Sequence, residues 1–269
     1  MSGREIRLDR LFSRGNAVIV AADHGEFDGP LPGLVDLPEV LRAVDEQADG
    51  LLLSPGMVRH CRHAFSHRGA PLVVVRLNWN TVYCFNWEYS QAVGAHAITP
   101  REAIALGADL VLASLTLHTG SEANDARNAE IFSRLTAQAH ALGLPVVGEY
   151  FPNRADLLSP EQLHDEVYKG CRIIAELGAD LIKTFFTVDF QAVTGSVPVP
   201  VLGLGAEKTP TELEALVLAQ QEIAAGARGV VFGRNVLQSR DPHEFLGALC
   251  QVVKEGVAPE EAARAHGFA

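Results

Sequence analysis

The stretch SPEQLHDEVYKGCRIIAELGADLIKTFF, residues 159–186, decides the fold. Ser159 is a helix cap, Pro160 fits the first helical position, and Gly178 follows the last turn. The chain then passes directly into DLIKTFF, a β-branched and aromatic run that reads as a strand. One helix, one short glycine loop and one strand form the repeating unit of an α/β protein.

The unit recurs along the chain. TPTELEALVLAQQEIAAGARG has Thr209 or Thr211 as its cap and Gly226 as its end, and TPREAIALGADL from Thr99 repeats it in miniature. Eight apolar runs follow one another: 17–25, 50–55, 71–78, 109–117, 144–152, 180–186, 199–205 and 229–235. They are nearly continuous rather than alternating, as expected of parallel strands covered on both faces. Eight strands alternating with helices in 269 residues predict a (β/α)8 TIM barrel, with residues 1–269 as a single domain. An open doubly wound sheet would more often carry a GxGxxG turn after its first strand, and AADHGEFDG is not one. Residues 79–98 form the longest irregular stretch and are expected to lie over the active face.

Composition narrows the function. Hydrophobic residues are 48% and charged residues 20%, ordinary for a folded soluble protein. The net charge of −11 opposes a nucleic-acid partner, which requires clustered Lys and Arg. No run approaches the ~18 apolar residues of a membrane span, and the N-terminus lacks a signal-peptide core. Cys61, Cys84, Cys171 and Cys250 are widely spaced and read as reduced thiols, so a cytoplasmic location is expected. His60, His63 and His67 share one face of a presumed helix, but Arg59, Arg62 and Arg68 flank them and disfavour a cation. No metal and no cofactor are expected.

Barrel active sites lie at the C-terminal ends of the strands. Lys183 sits in the sixth run, where lysine is out of place unless paired or used. Desolvation of an inward lysine lowers its pKa, and a neutral amine can form a Schiff base with a ketone or aldehyde. The competing reading is a lysine that snorkels to Asp23 or Asp180. Asp23 ends the first run as a candidate proton shuttle, or else as a turn residue. Tyr150 on the fifth run would offer a hydroxyl near the reacting carbon, or else fill the rim. Glu149 then points the opposite way along its strand. GLGAEKTP and FGRN, ending runs seven and eight, occupy the usual barrel phosphate position. Gly205, Ala206, Lys208, Gly233 and Arg234, together with His24, are therefore candidate phosphate-binding residues, while Glu207 in the same loop is repulsive.

VIVAADHGEFDGPLPGL, ELGADLIKTFFT and AGARGVVFGRNVLQSRDP together resemble the class I (Schiff-base) aldolase family. That family includes archaeal-type fructose-bisphosphate aldolase and an aldolase-like heptulosonate synthase. Tagatose-bisphosphate and deoxyribose-phosphate aldolases are more distant, as is the thiolase that processes a phosphorylated quorum signal. The resemblance implies a metal-independent carbon–carbon lyase of carbohydrate metabolism, with Lys183 as Schiff-base former, Asp23 as proton shuttle and Tyr150 as acid/base. It places a substrate phosphate at Gly205, Gly233 and Arg234, and implies a homo-oligomer, decamers being known in the family. The loops depart from the family pattern. KTFFTVD stands for KTxYTGD, GLGAEK for a GGPK-type loop, and YFPNR for a YPRG-like turn. The expected substrate is thus a small keto compound, a phosphorylated sugar or sugar-like molecule, and the altered loops weaken the case for fructose bisphosphate. The alternatives are a sugar-phosphate isomerase or transferase without covalent chemistry, or a catalytically idle ligand-binding barrel.

Overall fold

The computed structural model describes residues 2–268. Its strands are β1 (Ala17–Ala21), β2 (Gly50–Leu53), β3 (Leu72–Arg76), β4 (Asn78–Asn80), β5 (Gly94–His96), β6 (Leu110–Leu115), β7 (Val146–Tyr150), β8 (Leu181–Phe185), β9 (Val201–Leu204) and β10 (Gly229–Phe232). Eight of them close a parallel barrel in the order β1-β10-β9-β8-β7-β6-β3-β2, and β4 pairs with β5 as a separate antiparallel hairpin. This is the (β/α)8 barrel expected from the eight apolar runs. No helix among the described residues is long and apolar enough to cross a membrane.

Strand alternation sorts the side chains into two layers. Ala17, Ile19, Leu52, Leu72, Val74, Leu110, Leu112, Val147, Leu181, Leu202 and Val231 pack inside the barrel. Leu11, from the helix Gly3–Leu11, joins this cluster. Alternate residues such as Val18, Val20, Leu51, Leu53, Val73, Val75 and Ile182 face the surrounding helices.

The helix signals in 159–186 are realised in full. The Ser159 hydroxyl accepts from the Gln162 backbone amide, and Gln162 Oε1 accepts in return from the Ser159 amide. Gly178 (φ 103°) and Gly226 (φ 93°) adopt the left-handed conformation that the helix-to-strand loop requires. Of the two candidate caps at the later helix, Thr211 accepts from Glu214, whereas Thr209 bonds to Asn235.

The three histidines do not share one helix. The helix Pro55–His60 stops at His60, and a 3-10 turn, Arg62–Phe65, follows. Among the described residues no group of His, Cys, Asp and Glu is arranged to hold a metal ion.

Glu222 is anomalous. It is fully buried in the helix Glu212–Ala224, lies against Gly203 of β9, and neither carboxyl oxygen has a hydrogen-bond partner among the described residues. Burial pushes its carboxyl well above the usual carboxylate range. A group whose pKa is raised in the fold stabilises it relatively best below the unfolded value, and that contribution is lost as pH rises towards the folded value. Glu222→Met should therefore raise stability by roughly 1–3 kcal/mol near pH 8, with a gain that shrinks towards pH 4.5. Thermal melts of both proteins at the two pH values measure it. A lower melting temperature for the variant at pH 8 would refute this reading.

Candidate active site

The polar residues cap the apolar barrel core at the C-terminal ends of the strands. Asp23, Arg76, Asn78, Ser114, Glu149 and Lys183 are all buried. Glu149 and Lys183 are Cα partners in the β7–β8 ladder, so their side chains rise together on the inner face. Lys183 Nζ lies 2.6 Å from Glu149 Oε1. Arg76 Nη2 lies 2.6 Å from Glu149 Oε2, and Arg76 Nε donates to Asp23 Oδ2 at 2.6 Å. Tyr83 completes the chain by donating its hydroxyl to Glu149 Oε2 at 2.8 Å. Two cations and two carboxylates thus form one buried, charge-balanced network.

The electrostatics follow from this order. Burial alone would raise Asp23, but Arg76 and then Lys183 outweigh it and hold the carboxyl down to about 2. Glu149 is likewise pushed up by burial and pulled further down by Lys183 and Arg76, for a net lowering. Burial also pushes the Tyr83 phenol up, and the neighbouring Glu149 carboxylate adds to it, so this hydroxyl keeps its proton. His24 is held down to about 4, first by burial and then by the positive charges of Lys183 and Arg234, so its imidazole is neutral at pH 7. Burial raises Glu26, next to this network, to about 7 against the opposing pull of Arg76.

The network opens into a cavity of about 770 Å3. Asp23, His24, Lys183, Gly205, Ala206, Gly233 and Arg234 all line it, so the structure brings together most of the residues selected from sequence. The loop after β9 is held by Asn235, the last residue of FGRN, for which the sequence alone indicated no specific role. Asn235 Nδ2 donates to Gly205 O at 2.7 Å and to Glu207 O at 3.1 Å, while its Oδ1 accepts from the Thr209 amide at 2.8 Å. Arg234 Nη2 adds a bond to Ala206 O at 2.9 Å. These bonds fix Ala206 at φ 48°, a conformation that ordinarily costs about 1–2 kcal/mol outside glycine. Gly233 leaves room for His24, whose imidazole occupies the space a β-carbon would need.

Two selected residues are placed elsewhere. Tyr150 faces outward on β7, and its ring packs over Gly170 of the helix Pro160–Glu176. Its hydroxyl lies 3.4 Å from Glu166, not near Lys183. The expected parity of β7 is therefore reversed, with Glu149 inward and Tyr150 outward. The reason is volume, because Gly148 and Tyr150 share the face that meets Ala179 and Ile174 and the gap at Gly170. Lys208 Nζ pairs with Glu212 Oε1 at 3.4 Å and does not line the cavity. The surroundings of Lys183 also differ from expectation, since the amine meets a carboxylate rather than an apolar wall.

Residues 81–91 do cover the active face. Thr81, Val82, Tyr83, Cys84, Phe85 and Tyr89 line the cavity. The β4–β5 hairpin anchors this segment, because Asn128 Oδ1 accepts from the Gly94 amide at 2.8 Å and Asn128 Nδ2 donates to Ala92 O and Thr116 O. A side chain at position 94 would strike that amide, so glycine is required there.

The model of the DeoC/LacD family aldolases matches residues 17–239, from β1 to just beyond β10. An uncharacterised aldolase of Saccharolobus solfataricus is 32% identical over 267 residues, covering 97% of this chain and 98% of that protein. The 3-hydroxy-5-phosphonooxypentane-2,4-dione thiolase of Yersinia pestis is 30% identical over 269 residues, covering 98% of this chain and 86% of that protein. Among solved structures, an archaeal fructose 1,6-bisphosphate aldolase superposes with a TM-score of 0.80 at 29% identity, covering 93% of this chain and 99% of that one. An archaeal fructose-1,6-bisphosphate aldolase with its catalytic lysine covalently bound to the carbinolamine intermediate of the substrate superposes with a TM-score of 0.79 at 29% identity, covering 93% of this chain and 98% of that one. The buried lysine network at the strand ends and these full-length similarities agree, and the chain belongs to the DeoC/LacD family of aldolases.

Proposed function

We propose that the protein is a class I, metal-independent aldolase that forms a Schiff base through Lys183 with a small keto substrate carrying a phosphate. One observation carries the reading: a buried amine, 2.6 Å from a carboxylate, faces a large cavity at the C-terminal end of a barrel. Glu149 takes a proton from the ammonium, and the free Nζ adds to the substrate carbonyl carbon while its oxygen is protonated, giving a carbinolamine. Loss of that hydroxyl as water leaves an iminium. A base then removes the proton of the β-hydroxyl, the adjacent C–C bond breaks, and its electron pair flows into the iminium to form an enamine while an aldehyde departs. Protonation of the enamine carbon and hydrolysis release the ketone and regenerate Lys183. Glu149, linked to Tyr83, Arg76 and Asp23, is the nearest proton acceptor at each step.

The phosphate is assigned to the half of the cavity formed by Gly205, Ala206, Gly233 and Arg234, where the Asn235-clamped loop presents backbone close to a guanidinium. The phosphorylated dione named for the Yersinia relative and the bisphosphate named for the archaeal structures support a phosphorylated ligand. Free cysteines, three of them buried, agree with a cytoplasmic enzyme. The isomerase reading finds no support among relatives named as aldolases and a thiolase.

Reductive trapping tests the proposal. Incubation with a panel of ketones including dihydroxyacetone phosphate, followed by borohydride, should add one ketone mass to the peptide containing Lys183. The adduct should form equally with a chelator present and should disappear in Lys183→Met. The other lysines, Lys169, Lys208 and Lys254, are each paired with a carboxylate away from the cavity and should stay unmodified. No adduct across the panel, or turnover retained by Lys183→Met, would overturn it.

A further inference from the structure

The barrel order places Lys183 between two unlike halves of its cavity. β8 lies between β9, which leads into Gly205 and Ala206, and β7, which leads into Phe151. On the β9–β10–β1 side the lining includes glycine, arginine and imidazole, together with the Glu207 carboxylate. On the β7–β8 side it is aromatic. Phe185 follows Lys183 by two residues on the same strand, and Phe151 follows Glu149 by two. Their rings meet edge-to-face at 4.8 Å. Phe151 also meets Tyr83 at 4.7 Å and Phe85 at 6.3 Å, so the aromatic wall is continuous from the base of the cavity to its rim.

Part of this wall is uncovered. Phe85 is 60% and Leu157 59% exposed, and both line the cavity. Side chains of this size gain by being covered. The charges at this rim also discriminate. At this rim Arg154 is exposed, and Asp156 and Glu88 line it as well. A phosphate needs convergent donors, and an exposed arginine between two carboxylates, with no lining glycine, suits a second anionic group poorly.

We propose that the wall of Phe85, Phe151, Phe185 and Leu157 is a subsite for an apolar, aryl- or branched-alkyl-bearing end of the substrate, so that the aldehyde released or accepted is apolar and unphosphorylated. The proposal rests on the Schiff-base reading for the position of the reacting carbon, but the subsite itself can be tested without it. An unreactive aryl alcohol, 2-phenylethanol, should show saturable binding to the wild-type protein by ligand-observed NMR. That binding should weaken at least about fivefold in the rim double variant Phe85→Ser/Leu157→Ser, both positions being exposed and tolerant of change. It should persist in Lys183→Met, which removes the nucleophile and leaves the wall. Absence of saturable binding, or binding undiminished in the rim variant, overturns the subsite, whatever the trapping experiment shows. With any ketone that is trapped on Lys183, phenylacetaldehyde should exceed glyceraldehyde 3-phosphate as acceptor by at least about tenfold in kcat/KM. The opposite order would overturn the subsite while leaving the Schiff-base reading intact.

Discussion

Arg76→Met should unfold at markedly lower denaturant than the wild type at pH 7, with a loss of roughly 3–5 kcal/mol. The guanidinium is 2% exposed, bonds both Asp23 and Glu149, and stacks with its carbon 5.0 Å from the Phe27 ring centroid and 4.8 Å from that of Tyr83. Methionine replaces much of its length but none of its charge, so two buried carboxylates would share the single cation Lys183. For a domain of this size the loss corresponds to about 6–20 °C in melting temperature. Its pH dependence identifies the cause. In the wild type Asp23 titrates at about 2, below its unfolded value, so its stabilising contribution is present above that unfolded value and lost as pH falls towards 2. Without Arg76 the burial of Asp23 is unopposed by its main cation and its pKa moves up. Its contribution then becomes a deficit that grows as pH rises. The difference between the two proteins should therefore be smallest near pH 4 and largest at neutral pH. Adding Asp23→Asn to Arg76→Met should recover part of the loss. A deficit below about 1 kcal/mol at pH 7 would mean that the network is solvated, as exposed ion pairs are.

That network shows where sequence reading succeeds and where it stops. The strands were legible because a parallel sheet covered on both faces needs apolar residues at every position, and the eight runs supply them. The helix caps at Ser159 and Thr99 were legible because capping is local. The parity of β7 was not, since VVGEY offers a plausible residue to either face. The deciding signal lies 20 residues later, where Gly170 occupies the middle of a helix. Glycine is unfavourable there unless something bulky packs on it, and the bulky group is Tyr150. Reading the two together would have sent Tyr150 outward and Glu149 into the site. Arg76 and Asn78 lie at the end of the third run, but their partners, Asp23, Glu149 and Ser114, come from other strand ends. Asn235 belonged to a quoted motif, yet its clamp on Gly205 and Glu207 exists only once the strand ends are brought together.

One altered motif has a direct physical sense in the structure. YFPNR places Phe151 edge-to-face against Phe185, the open position of KTxYTGD, and both rings line the cavity, whereas Phe186 at the tyrosine position packs against Phe190. The Phe151 change adds apolar surface to one side of Lys183. The lysine and its carboxylate partner set the chemistry, and the two flanking loops set which molecule reaches it.

Glu149→Gln should lower kcat by roughly 10²–10⁴-fold while leaving the protein folded, and it separates the two carboxylates as proton carriers. Asp23 holds Arg76 through Oδ2, whereas Glu149 touches the amine itself at 2.6 Å. Glutamine keeps the volume and can still accept from Tyr83, but it cannot take a proton from Lys183. In the wild type the proton moves within the pair, so the rate of Schiff-base formation should be nearly flat across neutral pH. In the variant the free amine must arise by loss of a proton to solvent, so the residual rate should climb as pH increases through the same range. Stopped-flow or quenched borohydride trapping from pH 6 to 9 measures both. Tyr83→Phe removes only the 2.8 Å hydrogen bond to Glu149 Oε2 and should cost far less, with an unchanged pH profile. Should Glu149→Gln retain activity within tenfold and a flat profile while Asp23→Asn loses both, the shuttle is Asp23, and the contact between Glu149 and Lys183 serves only to position the amine.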